Sequence, residues 1–144
     1  MPESAFVNIK TPRYRADSLI GIQKRNLPDS IDYVVGLTNK DISVPRYENG
    51  KIKKPEWKYN DFGVMGLGYR PGNSCVVSTF RLKANNKPLF YKRLEKVVLH
   101  ELGHNLGLPH CENPKCVMTS AAEKISTIDN ANASLCDACA KRIK

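Results

Sequence analysis

Short apolar runs, rich in β-branched and aromatic residues, recur through the first half of the chain and predict strands. The run at 33–37, Tyr-Val-Val-Gly-Leu, is typical of a buried strand. The turn signal Arg-Pro-Gly-Asn at 70–73 separates the last two runs. The predicted strands are residues 5–9, 33–37, 62–69 and 75–82. Residues 39–60 contain Asn, Asp, Pro and Gly with little periodicity, so we expect a long loop there.

The apolar pattern takes on a helical period in later segments. Residues 17–26 have an apolar face and end before Pro28, which predicts a short amphipathic helix. From Pro88 to Gly107, apolar residues recur at steps of three and four, and glycine at the end favours a helix stop. We expect this helix to be largely buried, with Leu99, Leu102 and Leu106 in the core. A last short helix is predicted at 136–143.

Composition places the chain among ordinary soluble globular proteins. It has 144 residues, of which 41% are hydrophobic, and this length is most simply one domain. No apolar run reaches the roughly 18 residues that a membrane span requires. The start, Met-Pro-Glu-Ser, lacks the features of a signal peptide, although a leader removed upstream would leave the same sequence.

Net charge is +9, from 23 basic and 14 acidic residues, which raises the question of a nucleic-acid partner. The densest basic cluster is Lys51, Lys53, Lys54 and Lys58, with Trp57 and Tyr59 among them. No recognition motif accompanies this cluster, so we interpret it as a solvated loop. Salt-dependent binding to nucleic acid would overturn that interpretation.

All three histidines of the chain lie within eleven residues, in the run His-Glu-Leu-Gly-His-Asn-Leu-Gly-Leu-Pro-His at 100–110. His100 and His104 are four apart on the predicted helix, so their rings project from one face and can bind one zinc ion. Gly107 ends the helix, so the chain can turn back and bring His110 to the same ion. Three protein ligands leave a fourth position open for water, as in catalytic zinc sites. Glu101 lies beside the metal, where it can take a proton from that water and pass it to a leaving amine.

Four of the five cysteines, Cys111, Cys116, Cys136 and Cys139, lie in the C-terminal third as two closely spaced pairs. This spacing indicates a tetrahedral thiolate zinc site that would hold an irregular segment together. Two disulfides are the main alternative, and an iron–sulfur cluster or a redox pair is a weaker one. The fifth, Cys75, is most simply a small buried residue.

The segment from 100 to 139 resembles the archaemetzincins, a family of metzincin zinc metallopeptidases. The family pattern is His-Glu-x-x-His-x-x-Gly-x-x-His-Cys, four residues, Cys-x-Met, seventeen residues and Cys-x-x-Cys. This sequence matches it at His100, Glu101, His104, Gly107, His110, Cys111, Cys116, Met118, Cys136 and Cys139. The match covers about a quarter of the chain.

The resemblance implies an α+β fold in a single catalytic domain over residues 1–144. Residues 1–107 would form an N-terminal subdomain, a mixed sheet backed by helices as in an α/β sandwich, ending in the active-site helix. Residues 108–144 would form a small, irregular subdomain stabilised by zinc. The cleft would lie between the two parts.

The resemblance also implies two zinc ions and a role for each matched residue. His100, His104 and His110 would hold the catalytic zinc, and Glu101 would be the general base and acid. Met118 would form the Met-turn beneath the imidazoles. Cys111, Cys116, Cys136 and Cys139 would hold the structural zinc.

A peptide or protein substrate would pair with the strand that lines the cleft, and we expect that strand to be residues 74–82. No tyrosine follows Met118 to stabilise an oxyanion, and nothing in the sequence selects among Tyr47, Tyr59, Tyr69 and Tyr91. The rival function is a peptide-binding module with little or no turnover. Thiolate ligands favour the cytoplasm, whereas a removed leader would point to export. The sequence predicts no oligomeric state.

Overall fold

Nine strands and five α-helices occur in residues 1–121 and 124–143, the part of the chain that the structure, a computed structural model, describes. The strands are β1 (Phe6–Asn8), β2 (Pro12–Arg15), β3 (Val34–Thr38), β4 (Ile42–Val44), β5 (Tyr47–Glu48), β6 (Lys51–Ile52), β7 (Phe62–Val64), β8 (Gly66–Gly68) and β9 (Ser74–Ser78). The helices are α1 (Ala16–Arg25), α2 (Glu56–Tyr59), α3 (Lys87–Asn105), α4 (Ile125–Asn130) and α5 (Asp137–Arg142). A short 3₁₀ helix, Glu3–Ala5, precedes β1.

Two mixed sheets form the N-terminal part. One has the order β1-β2-β4-β7, with β2 and β4 parallel and the other pairs antiparallel. The other has the order β3-β9-β8, with β3 parallel and β8 antiparallel to β9. The predicted mixed sheet is therefore present, but divided into two.

Strand β9 is the centre of the second sheet, and all five of its residues are buried. Its side chains alternate between two apolar clusters, because successive residues of a strand face opposite sides. Val76 packs in the cluster that contains Leu19 and Ile20 of α1. Val77 packs in the cluster that contains Val97 of α3. Helices α1 and α3 thus cover opposite faces of β9.

The prediction that residues 74–82 form the cleft-lining edge strand is wrong. A strand buried between two neighbours has no free edge, and β9 ends at Ser78, whose hydroxyl accepts a hydrogen bond from the amide of Phe80. The edge of this sheet next to the histidine site is β8. The predicted strand 62–69 divides at Met65, where the chain passes from the first sheet to the second.

Helix α3 is confirmed, with Asn86 as its N-cap: the side chain accepts a hydrogen bond from the amide of Leu89 at 2.9 Å. Gly107 follows it with φ of +98°, as predicted. The expectation that Leu99 and Leu106 belong to the core is wrong, since they are 37% and 43% exposed. They are seven residues apart, on one helix face that points to solvent.

Residues 39–60 are not a long loop, since they contain β4, the β5–β6 hairpin and α2. Strand β4 is fully buried, and Asn49 and Gly50 form the hairpin turn with φ of 54° and 77°. An Asn-Gly pair is a strong hairpin signal that the sequence already contained. The local pattern predicts neither β2 nor α4.

The C-terminal segment packs beneath the end of α3. Leu108, Val117 and Met118 are buried there together with Cys116 and Cys139. Helix α5 matches the predicted helix at 136–143. Among the described residues, none of the helices is long and apolar enough to cross a membrane.

Candidate active site

Helix α3 brings His100 and His104 onto one face, and their Nε2 atoms lie 3.2 Å apart. The chain reverses after Gly107 and brings His110 to the same place. One ring nitrogen from each histidine lies within 4.8 Å of one from each of the others. The three residues singled out by sequence spacing thus converge on one point.

Backbone carbonyls orient the two helix histidines. The Nδ1 of His100 lies 2.7 Å from the carbonyl oxygen of Val117, and the Nδ1 of His104 lies 2.8 Å from that of Leu108. A proton on each Nδ1 would be donated to these carbonyls, which leaves each Nε2 with a free lone pair. Metal-binding histidines are commonly fixed in this way.

The geometry of the histidine group fits zinc. Two nitrogens about 2.05 Å from a tetrahedral ion lie about 3.3 Å apart, close to the separation between His100 and His104. Burial lowers the pKa of His100 to about 4, and burial is also the main cause that lowers the pKa of His104 and His110. The three rings are therefore neutral near pH 7, the form that binds metal.

Glu101 is buried, with an exposed fraction of 6%, and its carboxylate oxygen lies 3.9 Å from Nε2 of His100. Burial raises the pKa of Glu101 to about 8, opposed by the charge of Arg46. A dication bound by the histidines would favour the ionised carboxylate, because opposite charge lowers a carboxyl pKa. The carboxylate thus lies beside the metal-binding nitrogens.

Strand β8 passes directly against α3 because it carries two glycines. A Cβ on Gly66 would lie 2.8 Å from Cγ of Glu101, and a Cβ on Gly68 would lie 2.6 Å from the backbone oxygen of Glu101. Any larger residue would push the strand away from the helix. The glycines therefore keep the edge of the sheet next to the Glu101 carboxylate. Glycines inside a strand often mark such a close approach, so the Gly-Leu-Gly run was a usable signal.

Met118 is fully buried and packs against α3 at Gly103, the residue before His104. A Cβ on Gly103 would lie 2.3 Å from the Met118 sulfur. Sequence reasoning selected Met118 but gave no role to Gly103.

The four C-terminal cysteines form a second group, with all sulfurs within 4.8 Å of one another. All five cysteines of the chain are free thiols, which argues against the disulfide alternative. The sulfurs of Cys111 and Cys136 lie 3.8 Å apart, and two thiolates about 2.3 Å from a tetrahedral zinc ion lie about 3.8 Å apart. A hydrogen bond from the amide of Cys139 is the main cause that lowers the pKa of Cys136 to about 7. The donor set and its geometry fit zinc.

One short segment, residues 116–119, connects the two groups. Val117 accepts the hydrogen bond from His100, and Met118 accepts one from the amide of Cys111 at 2.9 Å. The amide of Thr119 donates to the carbonyl of Cys116 at 3.0 Å. The position of the segment that orients His100 thus depends on the cysteine group.

The three histidines line an open cavity of about 470 Å³. Its lining includes all three residues of β8 and, from the segment after the histidines, Val117, Thr119 and Ser120. Of the four tyrosines considered above, only Tyr69 is among the described residues that line it. Burial, followed by the charge of Asp17, raises the pKa of Tyr69.

Comparison with known proteins identifies the family. The family model "Peptidase family M54" matches residues 4–144. The chain belongs to peptidase family M54. It is therefore a zinc metallopeptidase, and the predicted archaemetzincin resemblance is confirmed.

Archaemetzincins from several archaea are similar to this chain. That of Haloquadratum walsbyi is 31% identical over 148 aligned residues, which cover 96% of this chain and 75% of the relative. That of Methanopyrus kandleri is 29% identical over 144 residues, which cover 100% of this chain and 73% of the relative. The relatives are thus longer than the aligned segment.

Solved archaemetzincin structures have the same fold. The Methanopyrus kandleri structure matches with a TM-score of 0.80 at 30% identity, covering 98% of this chain and 69% of that one. The Archaeoglobus fulgidus structure, in complex with malonate, matches with a TM-score of 0.70 at 31% identity, covering 91% and 70%. The predicted α+β fold is confirmed.

Proposed function

We propose that this M54 peptidase hydrolyses peptide bonds with one catalytic zinc on His100, His104 and His110, and Glu101 as general base and acid. A second, structural zinc would be held by Cys111, Cys116, Cys136 and Cys139. The observation that carries the proposal is the convergence of three neutral imidazole nitrogens beside a buried carboxylate, in an open cavity.

Zinc, when bound, would supply a Lewis acid that polarises the scissile carbonyl and acidifies water. The Glu101 carboxylate would take the proton from the attacking water and later donate it to the departing amine nitrogen. Its burial supports this role, because a buried carboxylate holds a proton more readily than an exposed one. The Nδ1 contacts to Val117 and Leu108 would keep both helix imidazoles in the orientation that binds metal.

The substrate would lie as an extended chain along the outer edge of β8. This edge has no strand partner among the described residues, and it runs past Glu101. Main-chain hydrogen bonds to the edge would fix the peptide without demanding particular side chains. The assignment replaces the expected role of residues 74–82.

The test is a cleavage assay on a diverse peptide mixture, read by mass spectrometry. We expect Glu101→Gln to retain two zinc ions but to lose activity by at least about a hundredfold. Chelation should abolish cleavage, and added zinc should restore it.

The matched control is Glu95→Gln, an exposed carboxylate on the same helix that pairs with Lys92. This variant should cleave like the unaltered protein. Full activity of Glu101→Gln would contradict the role of that residue. An absence of products from protein that carries two zinc ions would favour the peptide-binding module instead.

A further inference from the structure

Positive charge dominates the lining of the cavity. Arg46, Arg70, Arg81 and Lys96 contribute side chains to it, whereas Glu101 is the single carboxylate among the described lining residues. A cleft with one sign of charge attracts ligands of the opposite sign.

Two of these cations are already paired within the protein. Arg81 donates to the Asp41 carboxylate at 3.1 and 3.2 Å. Lys96 donates to the carbonyls of Ile128 and Asp129 at 3.1 and 3.2 Å. Neither group needs a ligand to satisfy it.

Arg46 and Arg70 differ from this pair. Both are exposed, and no carboxylate in the described part of the chain lies within 4.0 Å of either guanidinium. Both line the same cavity as the three histidines, so a ligand held at the site is within the field of both charges.

The two arginines lie at opposite ends of β8. Arg46 stacks over the ring of Phe62 in β7, 5.0 Å from its centroid, on the side where the chain enters β8. Arg70 is two residues beyond the last residue of β8. An extended peptide paired with β8 would thus meet one guanidinium near each end.

Both side chains project from a fixed backbone. The amide of Arg46 donates to Tyr59 and its carbonyl accepts from Lys53, both at 2.8 Å. Buried Asn105 donates to the carbonyl of Tyr69 at 3.0 Å, next to Arg70. A fixed backbone lowers the entropy cost of an ion pair with a ligand.

Building on the proposed peptidase function, we propose that the cleft selects acidic peptide segments. Arg46 binds a carboxylate on one side of the scissile bond, and Arg70 binds a carboxylate on the other. A guanidinium binds a carboxylate through two parallel hydrogen bonds. A basic peptide would be repelled at both ends, which adds discrimination.

The cleft favours a peptide over a nucleic acid. An open strand edge offers alternating amides and carbonyls that pair with a peptide main chain. Single-stranded nucleic acids instead bind to aromatic side chains on which their bases stack. Of the exposed aromatic residues, only Tyr69 is among the described residues that line the cavity, whereas the most exposed ones, Tyr47 and Trp57, are not, so the cleft has no row of rings for successive bases.

The first measurement is binding, with zinc-loaded Glu101→Gln so that no peptide is consumed. Three labelled peptides of equal length carry the same apolar centre flanked by aspartates, glutamines or lysines. Fluorescence anisotropy should give the tightest binding for the aspartate peptide, and this preference should shrink between about 0.05 and about 0.5 M salt.

In the same background, Arg46→Gln and Arg70→Gln should each weaken binding of the aspartate peptide about fivefold, with little effect on the glutamine peptide. Arg46→Lys, which keeps the charge, should recover part of the loss. Arg25→Gln removes an exposed arginine that does not line the cavity, so it should leave binding unchanged. Zinc content and circular dichroism identify any variant that fails to fold.

Equal binding of the aspartate and glutamine peptides would overturn the inference, and so would arginine variants that match Arg25→Gln. Tighter binding of a thymidine oligonucleotide than of the aspartate peptide would also overturn it. Cleavage of the same peptides by the unaltered protein separates the two proposals. Selective binding without cleavage would overturn the peptidase function alone, whereas cleavage without acidic preference would overturn only the selectivity.

Discussion

At the scale of single residues, the site depends on the lack of a side chain at Gly103 as well as on the polar groups of the site. Gly103 is enclosed by the fully buried Met118, so the space for a side chain is already occupied. A methyl group there would force the methionine, and the turn that carries it, away from the helix.

We therefore expect Gly103→Ala to lower the free energy of unfolding by about 1–3 kcal/mol, as overpacking of a filled site does. The displaced turn includes Val117, so zinc binding at the histidines should weaken too. Chemical denaturation and zinc titration measure the two effects.

Gly21→Ala is the matched control, because Gly21 also lies inside a helix but has only Arg25 near the added Cβ, at 3.4 Å. Alanine is the better helix former, so this variant should gain up to about 1 kcal/mol. A Gly103→Ala protein as stable as Gly21→Ala would contradict the packing argument.

The sequence predicts the residues of the site better than their surroundings. His100 and His104 follow from helix geometry alone, since residues four apart share a face. The contacts of Gly66, Gly68 and Gly103 depend on which strand and which turn approach the helix, and local pattern does not contain that information. Asn105, which holds the Tyr69 loop, was missed for the same reason.

At the scale of elements, one ion pair holds α4 against α3. Arg93 donates two hydrogen bonds to Asp129, both at 2.8 Å, and the two side chains are 11% and 30% exposed. The hydrogen bond from Arg93 is the main cause that lowers the pKa of Asp129. The ionised carboxylate therefore stabilises the folded state.

Because the folded pKa lies below the unfolded value, this contribution is complete above the unfolded pKa and is lost as pH falls through the folded one. Asp129→Asn should cost about 1 kcal/mol of unfolding free energy above about pH 5. The difference from the unaltered protein should shrink towards pH 3 and below. Urea denaturation across this range measures it.

The control is Glu95→Gln, which breaks the exposed Lys92–Glu95 pair and should cost less than about 0.5 kcal/mol. A pH-independent cost for Asp129→Asn would refute the electrostatic origin of the effect.

Elements with a strong local pattern were predicted, and the shortest strands, β5 and β6, were not. Helix α3 has nineteen residues and a clear cap, whereas β5 and β6 have two residues each. Strand β4 has only three residues, Ile-Ser-Val, all of them buried, so its local pattern is too short to predict a strand. The order of strands depends on long-range pairing, so the local pattern of 74–82 does not reveal that β9 lies between β3 and β8.

At the scale of the whole molecule, the cysteine group and the histidine group share the segment 116–119. Its chain of contacts runs from Cys111 through Met118 and Val117 to His100. If the cysteines hold a structural zinc, losing that ion should disturb the histidine site from a distance.

We expect Cys136→Ser to reduce bound zinc from two ions to one and to weaken the remaining site by about tenfold or more, as loss of supporting contacts does. Zinc content by mass spectrometry and competition with a chelator measure both effects. Cys75→Ala removes a buried cysteine outside the group and should retain two ions. Unchanged zinc content in Cys136→Ser would contradict the assignment of the cysteines.

The glycines of β8 have a further consequence for recognition. A peptide lying along the edge of this strand would meet only backbone groups at Gly66 and Gly68, because α3 already fills the space where their side chains would be. These two positions of the strand therefore have no side chain of their own to select the residues next to the scissile bond. The middle of the cleft is therefore expected to be tolerant, and discrimination falls to the groups at its two ends.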